Sequence, residues 1–177
     1  VQLAAERLAT VHHIAGATIV QPAHDHVRQA VLSGLDVETK AFWHEGLARA
    51  FEELHGDEQA VVEHWLAAGH PVNAAHHAVA AAPLAEEALA FRRAAELYEI
   101  AITYGPWDAI GRRDLLRRQA HALVAAGQLD AAAAVYQHAA ELLPDTDADG
   151  VDLQRLHIET LLRRGRLDEA IPAAAQL

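Results

Sequence analysis

Gly127-Gln128-Leu129-Asp130-Ala131-Ala132 returns 38 residues later as Gly165-Arg166-Leu167-Asp168-Glu169-Ala170. The same offset carries Leu123 to Leu161 and Arg117 to Arg155. Run backwards, it carries Ala132 to Ala94, Tyr136 to Tyr98, Ala139 to Ala101 and Pro144 to Pro106. Three units in one register mark a repeat, and the Tyr and Pro matches weigh most in so Ala-rich a chain. Each unit reads as a helical hairpin. In the middle unit Leu115, Leu116, Gln119, Ala120, Leu123 and Val124 recur at steps of three and four, which puts them on one helix face. Gly127 ends that helix in the left-handed conformation that costs glycine least. Leu129 and Asp130 open a second helix with Ala132, Tyr136, Ala139, Ala140 and Leu143 inside, and Pro144 stops it. Alanine at the hairpin contact lets two helices approach closely, while Tyr fills the space between hairpins.

Gly127, Ala132, Tyr136, Ala139 and Pro144 have the spacing Gly-x4-Ala-x3-Tyr-x2-Ala-x4-Pro, which resembles the tetratricopeptide repeat (TPR). That repeat is usually about 34 residues long, so the longer period here implies added residues between hairpins. The pattern departs from the family at Leu89, where Gly is expected, and at Ala174, where Tyr is expected. The family's bulky first-helix Trp is missing, and the last unit is expected to reach Leu177 still in helix.

Upstream, Val37–Leu54, Glu58–Ala68 and Pro71–Glu87 read as further helices, with breaks at Gly56-Asp57 and Gly69-His70 and with Pro71 in a first turn. Phe42, Leu47, Ala50, Phe51 and Leu54 are expected on the buried side of the first of these. The opening stretch differs. Leu3–Thr10 reads as a short helix, Val11–Ile14 and Thr18–Gln21 as two strands around a Gly turn, and His26–Ser33 as a helix capped by Asp25 and ended at Gly34. Helix, hairpin and helix make the tail of a winged-helix module. The expected fold is therefore mainly α: residues 1–35 as the C-terminal part of a winged-helix module with one short β-hairpin, and 36–177 as a TPR-like α-solenoid of antiparallel helical hairpins.

Pro22-Ala23-His24-Asp25-His26-Val27-Arg28-Gln29-Ala30-Val31 resembles the His-Asp-x-Val/Ile-Arg-x-Ala/Val pattern that follows the ATPase core of bacterial signal-transduction ATPases, the STAND class. The His44 stretch, Glu63–Gly69 and Ala88–Tyr98 extend the likeness over nearly the whole chain. The architecture it most resembles is a large bacterial serine/threonine protein kinase with an AAA-type ATPase domain and C-terminal TPR-like helices. The resemblance implies a regulatory or scaffold segment, used for protein–protein interaction or signal sensing inside an ATP-binding signalling protein. The alternative is an effector-binding sensor module of an ATPase-linked transcription regulator. Val1 is not a natural start, so the chain reads as part of a longer protein, and any kinase or ATPase chemistry is expected upstream of it.

Composition narrows the function classes. Alanine makes roughly a quarter of the 177 residues and aromatics 5%, which favours helices over a β-sandwich. Cysteine is absent, removing disulfides, thiolate metal sites and a Cys nucleophile. A net charge of -11 argues against nucleic acid and anionic membranes as partners, both being polyanions. No apolar run is long enough to span a bilayer and no signal peptide opens the chain, so the expected compartment is the cytoplasm. No Gly-x4-Gly-Lys-Ser/Thr loop, Gly-x-Gly-x-x-Gly loop or His-Arg-Asp catalytic loop is present, and Ser33 is the sole serine. No catalytic residue, cofactor or metal is assigned, and the chain is expected not to be an enzyme in itself.

The thirteen histidines invite a metal reading, but His12-His13 alternate across a strand and His76-His77 diverge around a helix. His24 is expected to pack at the hairpin–helix junction and the other histidines to lie on the surface. Asp145–Gly150 spells half of a calcium loop, but Leu156 stands where the bidentate Glu belongs. The arginine pairs are diluted by acids and read as solvated faces. What remains is the concave side of the repeat, lined by the first helix of each pair. Asp114, Arg117, His121 and Val124 fall there in the middle unit, and Asp152, Arg155, Glu159 and Leu162 in the last. The candidate partner site is Asp114, Arg117, His121, Arg155 and Glu159, with Arg117 and Arg155 placed to grip carboxylates of a bound peptide or of an upstream domain of the same chain.

Overall fold

The computed structural model describes residues 9–14, 17–22, 24–142 and 148–175. It is mainly helical. Two strands, β1 (Ala9–Ile14) and β2 (Ala17–Pro22), come first and pair antiparallel, with Val11 opposite Val20. Nine helices follow among the described residues: α1 (Asp25–Gly34), α2 (Val37–Glu53), α3 (Glu58–Ala67), α4 (Pro71–Glu87), α5 (Phe91–Tyr104), α6 (Ala109–Ala125), α7 (Leu129–Glu141), α8 (Ala148–Arg164) and α9 (Leu167–Ala174). From α2 to α9 each helix packs on the next one in the chain, while α1 touches β2. Contacts that stay between sequence neighbours are what a stack of helical hairpins requires.

One turn is used five times. At His55, Gly69, Leu89, Gly127 and Gly165 the chain adopts positive φ, between 48° and 80°. The next residue's N–H then bonds back into the last helical turn: Gly56 to the Phe51 carbonyl at 2.8 Å, His70 to Trp65 at 2.9 Å, Ala90 to Ala85 at 2.8 Å, Gln128 to Leu123 at 2.8 Å and Arg166 to Leu161 at 3.0 Å. This is the Schellman closure, which satisfies carbonyls a helix end leaves open. His70, Ala90, Gln128 and Arg166 serve at once as the second turn residue and as the N-cap of the next helix, and none of the four makes a side-chain cap bond. Among the described residues, three helices open on an aspartate N-cap, one of them directly after the His55 turn. Asp36 accepts from Thr39 N–H at 2.7 Å, Asp57 from Gln59 at 3.0 Å and Asp108 from Gly111 at 2.8 Å.

Three of the five turns, at 89, 127 and 165, keep the 38-residue period. The small residues keep it too: Ala94, Ala132 and Ala170 are each at most 1% exposed. Tyr98 and Tyr136 are buried, as are Ala101 and Ala139, and Leu115 and Leu153. The core runs without a break from Ala48 to Leu153, with a small satellite of Ala133, Leu161 and Ala170. Leu89 takes the left-handed position that glycine takes in the next two units, so the departure from the repeat pattern changes the residue and leaves the turn intact.

Several expectations need correction. Phe42 (67% exposed), Leu47 and Leu54 are not on the buried side of α2, and Ala50 is exposed as well. Ala48 is the buried residue, and it lies on a stripe of Ala41, His44, Glu45, Phe51 and Glu52 at helical spacing. That stripe faces α3, the only helix among the described residues that packs closely on α2. Thr10 and Ala9 belong to β1, paired with Gln21 and Pro22, because the strand runs two residues past its expected start; the rest of the expected Leu3–Thr10 helix lies outside the described residues. His24, not Asp25, is the N-cap of α1, in an extended conformation, and Asp25 sits in the first turn. Gly34 is the last residue of α1, with Leu35 capping it in an extended conformation. The last helix closes at Ala174 with Ala175 as its C-cap, and residues 176–177 lie outside the described residues. Leu143 and Pro144 lie outside the described residues, and α7 ends at Glu141.

Among the described residues no helix is long and apolar enough to cross a membrane.

Candidate functional site

The helices α6 and α8 stand side by side one repeat apart, and their facing surfaces form an open groove. Its middle is a hollow of about 330 Å³ lined by Arg117, Arg118 and His121 of α6, by Asp152, Arg155 and Leu156 of α8, and by Glu86 of α4. Asp114 and Arg117 also border the hollow on one side, with Arg113, Asp149 and Leu153. His121 and Glu159 border the one on the other side, with Val124, Tyr136 and Arg163. The five candidate residues therefore lie along one groove. They do not converge on one point.

The charges in the groove are already matched. Arg117 donates to Asp114 at 2.7 Å, one helical turn back, and Arg118 donates to the other oxygen of Asp114 at 2.8 Å. One period later Arg155 donates to Asp152 at 2.8 Å and to Glu159 at 3.4 Å, and Arg163 donates to Glu159 at 2.8 Å. The i,i+3 pair thus recurs at repeat-equivalent positions. Partial burial acts to raise the Asp114 carboxyl, but Arg117 and Arg118 outweigh it and hold the group below its usual range. The Asp152 bond pushes the Arg155 guanidinium further up. Below the groove, burial pushes Tyr136 up to about 12, with Glu159 adding to it, and the His121 ring meets Tyr136 edge-on at 5.8 Å. Arg113, only 8% exposed in its side chain, reaches from α6 to Asp149 of α8 at 3.2 Å and ties the two helices together.

The repeat register located Asp114, Arg117, His121, Arg155 and Glu159 on one side. It did not reveal Arg118, Glu86 or Leu156 as neighbours, because their place depends on how α4, α6 and α8 stack. The intrahelical Arg–Asp spacing of three was readable and would have shown that Arg117 and Arg155 each face a carboxylate one turn back on their own helix.

The histidines do not all behave as surface residues. His24 is exposed and stacks on His26, ring centroids 5.2 Å apart. His44, His64, His77 and His157 are half-buried and bonded, the last to the Ala133 carbonyl at 2.8 Å. The stripe that turns His44 toward α3 also explains its burial. Among the described residues, no group of three or more His, Asp or Glu side chains is arranged to hold a metal ion. Asp149 and Gly150 lie in α8, and residues 145–147 of the acidic stretch lie outside the described residues.

Neither a protein-family model nor a curated protein sequence matches the chain.

Proposed function

We propose that the chain is a non-catalytic regulatory or scaffold segment, a TPR-like solenoid that binds an extended protein segment along the α6–α8 face. In this reading residues 1–35 are the tail of a winged-helix module. The segment serves a larger bacterial signalling ATPase, of the STAND type or a serine/threonine protein kinase. The observation that carries the reading is the groove itself, open, charged on both sides, and lined by the same ion pair at positions one repeat apart. A peptide carboxylate that takes Arg117 leaves Asp114 still paired with Arg118, so it need not bury an uncompensated charge. The groove's openness and its many charged groups favour a peptide over a small apolar effector, which seeks an enclosed and largely apolar pocket.

The test has two parts. Purified chain is incubated with ATP and magnesium, and no turnover is expected; measurable turnover would overturn the non-catalytic reading. Separately, acidic, basic and neutral peptide pools are titrated by fluorescence anisotropy against the wild type and against Arg117→Glu with Arg155→Glu. The expected result is that the wild type prefers acidic peptides, and that the double reversal weakens this binding by about tenfold or more, as for other complementary interfaces, with an unchanged circular dichroism spectrum. Equal binding by both proteins moves the site elsewhere.

A further inference from the structure

A second feature lies at the opposite end of the helical stack, where α2 meets α3. His44 of α2 and His64 of α3 place their Nδ1 atoms 3.0 Å apart, with ring centroids 5.1 Å apart. Both residues are half-buried, and the Phe51 ring closes on His64 at 5.6 Å. At that distance one Nδ1 donates and the other accepts, so one ring must offer a lone pair. If both rings are protonated, neither accepts, and two cations face each other across the contact.

Among the described residues, the groups around the pair give that second charge no counter-ion of its own. On α2, Glu45 binds Arg49 at 2.5 Å and lies 3.8 Å from His70, and Lys40 lies one turn before His44. Glu52 takes the Trp65 indole N–H at 2.6 Å and His77 at 2.8 Å. On α3, Glu58 is engaged by His77 at 2.9 Å, and Glu63 by Arg93 of α5 at 2.7 Å. His77 of α4 is the opposite case. Both its ring nitrogens meet carboxylates, Glu52 on α2 and Glu58 on α3, so a charge on that ring has a counter-ion on each side.

We propose that His44 and His64 form an acid-released latch, which lets the N-terminal half of α2 leave α3 at low pH while His77 keeps the C-terminal half tied through Glu52. The half that is freed carries Phe42 and Trp43, already exposed, and is joined directly to α1 and the β-hairpin. Acid therefore changes how that N-terminal unit is held against the stacked helices. The electrostatics agree in sign. Burial first, and then His44, push the His64 imidazole below its ordinary range, against an opposing pull from Glu63. A histidine whose folded value is lowered stabilises the contact fully above about 6.5, histidine's unperturbed value, and that contribution is lost as pH falls below it.

Hydrogen exchange of the whole chain tests the latch. From about pH 7.5 to about pH 5.5, a span that brackets histidine titration, amides of residues 41–47 should lose protection by about fivefold or more relative to α6, the low end of couplings between distinct sites. Exchange is corrected for its intrinsic pH dependence. Residues 50–53 should keep their protection. His44→Gln can still donate to His64 but cannot be charged, and it should flatten the profile. Uniform loss along α2, no loss, or an unchanged profile in His44→Gln each overturns the latch. In the wild type, which needs no variant to fold, the His64 ring resonance should titrate below 6.5, and a midpoint at or above that value overturns it as well.

Discussion

The helices α2 and α6 are each 17 residues long, yet α6 buries seven residues and α2 only Ala48. Both carry enough apolar side chains to form a buried stripe. What differs is the number of neighbours. α6 lies between α5 and α7 and is tied by Arg113 to α8, whereas α2 packs on α3 with one face and leaves Phe42, Trp43 and Leu47 on another. A helix is only as buried as the helices packed on either side make it. Its own amphipathic pattern names the candidates for burial and leaves the choice among faces to those neighbours.

The sharpest test of that contrast compares two aromatic residues. Tyr98, 1% exposed, fills the space where α5 meets its neighbours, whereas Phe42 is 67% exposed. Tyr98→Ala should cost about 3–5 kcal/mol, the range for truncating a buried aromatic. Phe42→Ala should stay within about 0.5 kcal/mol, as for surface sites. Urea denaturation of both variants decides it. A Phe42→Ala cost near that of Tyr98→Ala would mean that α2 is covered in solution and that the contrast fails.

The same contrast can be drawn with added volume. Ala132 is fully buried in α7 within the main core, and Ala50 on α2 is exposed. Ala132→Leu should lose about 1–3 kcal/mol through overpacking, and Ala50→Leu should lose almost nothing. Thermal melts that show equal stability for Ala132→Leu and wild type would mean that the core is not closely packed there.

Much of this was legible before any coordinates. The 38-residue offset located the turns at 127 and 165, the buried alanines and both tyrosines, because a hairpin needs small residues and a left-handed turn at fixed positions whatever surrounds it. Two things were not legible. The face of α2 that is buried carries His44, Glu45 and Glu52 beside Phe51, so polarity pointed to the wrong side; these polar groups are acceptable there because His64, His70, His77 and Trp65 bond to them. In the groove, the register placed the candidate residues on one side but did not give their pairing, since whether an arginine faces solvent or its own helix is decided by rotamers.

Leu89 gives the third test, and here the turn rather than the core is compared. Its φ of 59° equals in kind those of Gly127 and Gly165, yet a side chain in that region clashes with its own carbonyl and costs about 1–2 kcal/mol. At 74% exposed the leucine recovers little by burial. Leu89→Gly should therefore gain about 1 kcal/mol, less the extra entropy of glycine in the unfolded chain. Gly127→Ala should lose a similar amount. If Leu89→Gly destabilises instead, the leucine makes a contact that its exposure conceals.

The smallest effect separates two carboxylates, one on each of the helices compared. Asp36 opens α2 and is held below its usual range by the Thr39 N–H, an uncharged donor fixed by the backbone. Asp114 on α6 is held below it by Arg117 and Arg118, against the effect of its own partial burial. Because a lowered carboxylate contributes stability above its unfolded value of about 3.9 and loses it as pH falls through the folded one, both contributions should disappear in acid. Salt tells them apart. The arginine pairs of Asp114 are part-exposed, so Asp114→Asn should cost only about 0.5 kcal/mol at neutral pH, discounted for screening by solvent. In 1 M salt the screening length is about 3 Å, and that cost should fall toward zero. Asp36→Ala should cost as much in high salt as in low, since its partner carries no net charge for the ions to screen. Paired denaturant titrations at two salt concentrations read both. A salt-insensitive Asp114→Asn would mean that the carboxylate acts by hydrogen-bond geometry rather than charge.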